Sequence, residues 1–138
     1  MMAGKLVVFS FGRFNPPTVG HEKLANTVKM AAERLGATPR IYLSHTQDKK
    51  KNPLPYDLKL KYAQAAFGPM VTASDANTII KVLAELNTEF TDMVFIAGSD
   101  RVVEFEKLFN DYNGKGEYEF RTIRVISAGE RDPDSDGV

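Results

Sequence analysis

The chain has 138 residues, a length suited to one domain, and a domain of that size buries roughly two thirds of the surface its unfolded form exposes. With 43% hydrophobic and 26% charged residues, 10 glycines and 7 prolines, its composition excludes collagen-like, mucin-like and wholly disordered classes. Eighteen Lys and Arg balance eighteen Asp and Glu, so the molecule as a whole does not attract polyanions, and a phosphate or nucleic-acid ligand would need a local cluster.

The absence of cysteine excludes disulfides, zinc-thiolate sites and thiol nucleophiles, and a chain without such staples is natural in a reducing compartment. The apolar run near the N-terminus, about seven residues, is far short of the roughly 20 needed to span a bilayer, and it lacks a small-residue cleavage site. The expectation is a soluble, cytoplasmic protein with no membrane partner.

In chain order, Leu6-Val7-Val8-Phe9-Ser10-Phe11 is a continuous apolar run that stops at Gly12, as in a strand covered on both faces of a parallel sheet. From Gly20 to Leu35 the apolar residues Leu24, Val28, Ala31, Ala32 and Leu35 recur at helical spacing, and Gly36 signals the C-cap. Pro39 introduces a second strand, Arg40 to Ser44, and Thr46 to Pro55 is a polar loop carrying Lys49, Lys50 and Lys51. Pro55 can open a helix reaching Phe67. Met70 to Ala73 reads as a short strand, and Ser74 or Asp75 as the cap of a helix with Ile79, Ile80, Val82, Leu83 and Leu86 along its apolar stripe.

Thr91 to Ala97 is again a buried-strand run, ended by Gly98, with Ser99 and Asp100 able to cap a helix through Phe109. Asn110 to Tyr118, with Gly114 and Gly116, is a turn region, and Glu119 to Ser127 is a last strand. Strand and helix signals alternate, which predicts a three-layer α/β sandwich with a mostly parallel sheet over residues 1–128. Residues 129–138, with Glu130, Asp132, Asp134 and Asp136, form an acidic flexible tail without periodicity.

In such a fold ligands gather at the carboxyl ends of the strands, near the point where strand order reverses. Gly12 to His21, Ser44 to Pro55 and Gly98 to Arg101 all fall at those ends. Gly12-Arg13-Phe14-Asn15-Pro16-Pro17-Thr18-Val19-Gly20-His21 joins a strand to a helix. Gly12 and Gly20 allow close backbone approach, the helix start offers unpaired N–H groups, and Thr18 and His21 add donors. These are the ingredients of a phosphate site. The plainer reading is a glycine-rich turn in which His21 caps or packs the first helical turn. No Walker lysine loop is present, so the P-loop mechanism is not the model.

Residues 12–21, GRFNPPTVGH, resemble the GxFxPxTxGH signature of the cytidylyltransferase-like nucleotidyltransferase superfamily, with Gly12, Phe14, Pro16, Thr18, Gly20 and His21 in register. The resemblance covers about residues 5–127 and is closest to the TxGH branch, which includes nicotinamide-mononucleotide and pantetheine-phosphate adenylyltransferases. It implies a Rossmann-like fold and transfer of a nucleoside monophosphate, AMP from ATP (or CMP from CTP), to a small phosphorylated acceptor, with Mg2+ and release of pyrophosphate. His21 and Thr18 take the catalytic phosphate-ligand roles, His21 stabilising the pentacoordinate α-phosphoryl group. Gly12, Phe14, Asn15 and Gly20 would contact the nucleotide. No protein metal ligand is implied.

Val94 to Arg101 resembles the family's strand leading to a GxD-type segment, placing Gly98, Ser99 and Asp100 at the base or ribose; the alternative leaves Ser99 or Asp100 an N-cap role alone. Arg13 and Lys49, Lys50 and Lys51 would reach the acceptor or triphosphate, though a lysine run also reads as a solvated loop. Asn52-Pro53-Leu54 with Lys59 and Lys61 resembles bacteriophage-encoded relatives, which would place the protein in the host cytoplasm. Phe14, Tyr42 and Tyr56 read either as ring-stacking groups or as core and lip packing.

The family's serine and basic residue after the last core strand have only a partial counterpart in Ser127 and Arg131. An incomplete triphosphate clamp is therefore expected, and a catalytically weakened nucleotide-binding or assembly protein is the alternative function. A homo-oligomer is compatible with either, and neutral net charge offers no broad nucleic-acid surface. That charge and the short length set aside an aminoacyl-tRNA synthetase.

Overall fold

A strand that is apolar on both sides must be covered on both sides, and that requirement organises the molecule. The computed structural model describes residues 5–12, 19–44, 55–76 and 78–128, of which 19–21 in backbone only. The apolar run near the N-terminus becomes β1 (Leu6–Gly12) at the centre of a four-stranded parallel sheet. Its companions are β2 (Thr38–Leu43), β3 (Asp92–Ala97) and β4 (Thr122–Ser127), in the order β2-β1-β3-β4.

Alternate residues of the strands feed two cores. Val8, Ile41, Leu43, Val94 and Ile96 face α1 (Val19–Leu35) and α2 (Tyr56–Phe67), meeting Ala25, Val28, Ala32 and Ala63. Val7, Phe9, Tyr42, Met93, Phe95 and Val125 face α3 (Ile79–Asn87) and α4 (Val102–Tyr112), meeting Val82, Leu83, Leu86 and Phe109. The result is a three-layer α/β sandwich of Rossmann-like form. Phe95 is the hub of the second core, its ring edge-on to Phe9, Phe105 and Phe109 at 5.0, 5.0 and 5.2 Å. Each such pair contributes about 0.5–1.5 kcal/mol beyond its area.

Helix ends follow local chemistry. Gly36, at φ +68°, closes α1 with a pair of bonds, Ala37 N–H to Ala32 O and Gly36 N–H to Glu33 O, that return the chain directly into β2. Pro55, extended at φ −68°, stands at the N-cap of α2. The expected cap of α3 is corrected: Thr78, not Ser74 or Asp75, accepts from the Lys81 N–H at 3.2 Å. Ser74 is occupied elsewhere, its hydroxyl accepting from Ala76 N–H and donating to Glu85 at 2.6 Å.

The expected short strand at Met70 to Ala73 shrinks to one bridge. Ile41 N–H donates to Met70 O and Thr72 N–H to Ile41 O, both at 2.8 Å, so Val71 covers the outer edge of β2. Pro39, which has no N–H, protects the same edge further back. Helix α4 runs to Tyr112, past the expected end at Phe109, and the last strand starts at Thr122 rather than Glu119. The intervening turn is tied by Asn113, whose side-chain amide exchanges two hydrogen bonds with the backbone of Phe120.

At the amino ends of β3 and β4, Asp92 accepts from Thr91 Oγ1 at 2.7 Å, Thr122 Oγ1 at 2.8 Å and Arg121 Nη2 at 2.9 Å. Burial pushes this carboxyl up, but the hydrogen bonds from Arg121, Thr91 and Thr122, with the Arg121 charge, outweigh it and hold it below the ordinary carboxylate value. The acidic segment 129–138 lies outside the described residues.

Candidate functional site

From β1 the chain moves to β2 on one side, and β3 then takes the other side of β1. The carboxyl ends of β1 and β3 therefore form the reversal point at which open α/β sheets bind ligands. Their shared ladder runs from Leu6/Asp92 to Phe9/Phe95 and stops. Beyond it β1 stays with β2 as far as Gly12/Leu43, while β3 stays with β4 as far as Ala97/Ser127. The sheet forks, and each prong is extended by one more backbone bond: Ser44 N–H to Gly12 O and Ala128 N–H to Ala97 O, both 2.8 Å.

Gly12 ends one prong, and residues 13–18 lead from it to α1. Gly20 and His21 stand in the first turn of α1, so the helix start follows the crevice as the sequence predicts. The Arg13, Phe14, Asn15 and Thr18 positions, like Lys49, Lys50 and Lys51, lie outside the described residues, as does the His21 side chain.

On the other prong, Gly98 is exposed and leads into a 3-10 turn, Ser99–Arg101, that precedes α4. The capping role expected of Ser99 or Asp100 is corrected. Both residues sit inside the turn, its N-cap position is Gly98 and that of α4 is Arg101, and neither position makes a side-chain cap bond. Asp100 instead turns back over the strand end: its Oδ1 is 3.1 Å from where a Cβ on Gly98 would stand. Arg101 is committed to Glu104, through Nε at 2.9 Å and Nη2 at 3.3 Å, and stacks 4.8 Å over Phe105. Gly12, Gly98, Ser99 and Asp100 thus gather at one fork, and Arg101 faces its own helix.

Two polar residues at the fork belong to no site motif of the sequence. Ser10 is 1% exposed, and its hydroxyl donates to Ile96 O at 2.9 Å across the split. Its signal is a lone hydroxyl inside an apolar run. Lys59 is fully buried, with Nζ 3.3 Å from Ser44 Oγ, whereas Lys61 on the same helix is exposed. Its signal is a cation four residues before Ala63, on the buried face of α2. Ser44 thus joins the Lys59 side chain, through its hydroxyl, to the Gly12 end of β1, through its N–H, on the β2 side of the fork.

The aromatic alternatives divide. Tyr42 is core, 1% exposed, with its hydroxyl accepting from Arg40 Nη1 at 3.2 Å. Tyr56 is half-buried at the start of α2 and its hydroxyl accepts from Ser74 N–H. Burial and the carboxylates of Asp75, Asp57 and Glu85 push its phenol up, against the Ser74 bond that lowers it, so it stays neutral.

The model of the cytidylyltransferase-like family matches residues 9–131, which takes in both prongs of the fork and the glycine-rich connection. The chain belongs to the cytidylyltransferase-like family. Nucleotidyl transfer is the chemistry typical of that family. No curated protein matches the sequence at a significant level. Among solved structures, full-length CYP116B46 from Tepidiphilus thermophilus aligns at 16% identity and a TM-score of 0.35. That alignment covers 96% of this chain but 16% of the other, and a likeness so slight supports no statement of fold or function. Among the described residues of the cytidylyltransferase-like domain, no helix is long and apolar enough to cross a membrane, and no three His, Asp or Glu side chains gather as a metal site.

Proposed function

We propose that this cytidylyltransferase-like protein transfers a nucleoside monophosphate, AMP from ATP, to a small phosphorylated acceptor and releases pyrophosphate. The observation that carries the reading is the fork. Gly12 and Gly98 end the two central strands side by side at the reversal point, and the segment between Gly12 and α1 is GRFNPPTVGH. The adenylyl preference rests on the resemblance of that segment to the TxGH branch.

In this reading the triphosphate lies along the start of α1, where N–H groups without intrahelical partners and the helix dipole favour anions. An oxygen of the acceptor phosphate attacks the α-phosphorus, the new P–O bond forms, and the bond to the bridging oxygen breaks as pyrophosphate leaves. His21 and Thr18 donate to the charge that grows on the α-phosphoryl oxygens, and no covalent enzyme intermediate is needed. Asp100, beside Gly98, receives the ribose or base. Arg13 with Lys49, Lys50 and Lys51 steers the acceptor phosphate. Magnesium enters as part of the nucleotide substrate, since it is commonly held by phosphates with few protein ligands.

The test is pyrophosphate release with magnesium, ATP or CTP and a panel of phosphorylated acceptors. His21→Ala should lower the rate by about 10² to 10³ with the folded fraction unchanged. Nucleotide binding without pyrophosphate from any acceptor would overturn the enzyme reading in favour of a nucleotide-binding protein.

A further inference from the structure

A parallel ladder leaves the inner backbone groups of both strands without partners where it ends. At the fork between β1 and β3 the last shared pair is Phe9/Phe95, yet β1 continues through Ser10, Phe11 and Gly12, and β3 through Ile96 and Ala97. The Ile96 carbonyl lies just beyond that last pair and is buried, where an unmet acceptor is costly. Ser10 Oγ meets it at 2.9 Å, in a bond 86 residues long in sequence and buried at both ends. Every other residue of β1 from Leu6 to Phe11 is apolar.

We propose that Ser10 is a positioning residue: its hydroxyl latches the fork and so sets the spacing between Gly12 and Gly98 across which the nucleotide binds. The inference rests on the functional reading above for its ligand, but the latch itself does not. The geometry explains why a hydroxyl belongs here. A backbone pair would zip the ladder further and close the crevice, and an apolar side chain would leave Ile96 O unmet with the prongs untied. A hydroxyl holds the prongs through a side chain, while the backbones part.

The experiment compares wild type, Ser10→Ala and Ser10→Thr by titration with magnesium-ATP and magnesium-CTP, and by amide hydrogen exchange on the same samples. Ser10→Ala should weaken nucleotide affinity about tenfold, short of the roughly hundredfold that a full 1 Å misplacement of positioning groups can cost. Ser10→Thr, which keeps the donor, should restore most of it. Exchange in Ser10→Ala should quicken at 10–12 and 96–98 and stay unchanged at 92–94, whereas a general loss of stability would quicken all of them.

Wild-type affinity in Ser10→Ala, with or without quicker exchange at the prongs, overturns the proposal, and so does quickening spread evenly over the sheet. If Ser10→Thr does not fold, the exchange contrast in Ser10→Ala decides. If wild type binds neither nucleotide, the functional reading fails, and the exchange contrast alone upholds or refutes the latch.

Discussion

Asp92 offers a measurement of what holds the amino ends of the sheet, far from the fork. Replacing it by alanine removes the acceptor for Thr91, Thr122 and Arg121 at 2.7, 2.8 and 2.9 Å. Arg121 is 64% exposed, so its ion pair is screened and contributes at most about 1 kcal/mol. The two hydroxyls belong to exposed threonines that turn to water once freed, which leaves a loss of about 1 kcal/mol each. The sum is about 2–3 kcal/mol. An unfolding entropy of about 2.1 cal/mol/K per residue makes this about 7–10 °C in Tm for a chain of 138 residues.

Asp92→Asn keeps one acceptor oxygen and should lose about 1 kcal/mol. Because the carboxyl is held below its ordinary value in the folded state, its contribution is present above the unfolded-state value and disappears as pH falls through the folded-state value. Thermal unfolding followed by circular dichroism should therefore show the gap between wild type and Asp92→Asn shrinking below about pH 4. An Asp92→Ala Tm within about 2 °C of wild type, or a gap that does not narrow in acid, would refute the account.

Three further outcomes follow from single contacts. Tyr118→Phe removes a 2.6 Å bond from the buried hydroxyl to Phe109 O and should cost about 1–2 kcal/mol in urea unfolding. Burial, aided by Tyr112, pushes the Tyr118 phenol up to about 12, so this stabilisation is full below about pH 10 and lost as pH rises through the folded value; the phenylalanine variant should lack that alkaline slope. Gly36→Ala should cost about 1–2 kcal/mol from its φ of +68° alone, since a Cβ there meets nothing within 4 Å, and Gly36→Asn should recover part of the loss in Tm. Gly98→Ala has no backbone strain at φ −64° but sets a Cβ 3.1 Å from Asp100 Oδ1; unfolding should stay within about 0.5 kcal/mol while nucleotide titration shows weaker binding.

What the sequence reveals depends on whether the deciding force is local. The two central strands, β1 and β3, are legible because strands buried on both faces are continuous apolar runs, and α1 because its stripe ends on a glycine that must adopt positive φ. The short strand at Met70 to Ala73 has suitable residues, but only Ile41 is there to pair with it. Ser74, Asp75 and Thr78 are all able caps, and the choice is made by where the chain passes Glu85. The fork was legible as a location, through Gly12 and Gly98. Its latch was not, because Ser10 acquires meaning only opposite Ile96, and Lys59 only beside Ser44.

The place of β1 at the centre of the sheet also sets a timetable for synthesis. Its first partner, β2, emerges soon after it, but β3 begins at residue 92 and the bond from Ser10 spans 86 residues. At about 5–20 residues per second, translation leaves Phe9 and its neighbours without their second partner for roughly 4–17 s. Over that interval the most apolar stretch of the nascent chain has one covered edge and one open one, a surface to which a chaperone can bind. Closing so distant a pair makes assembly of the sheet's middle slow compared with formation of α1. The same long-range pairing that creates the crevice thus makes it one of the last parts of the molecule to exist.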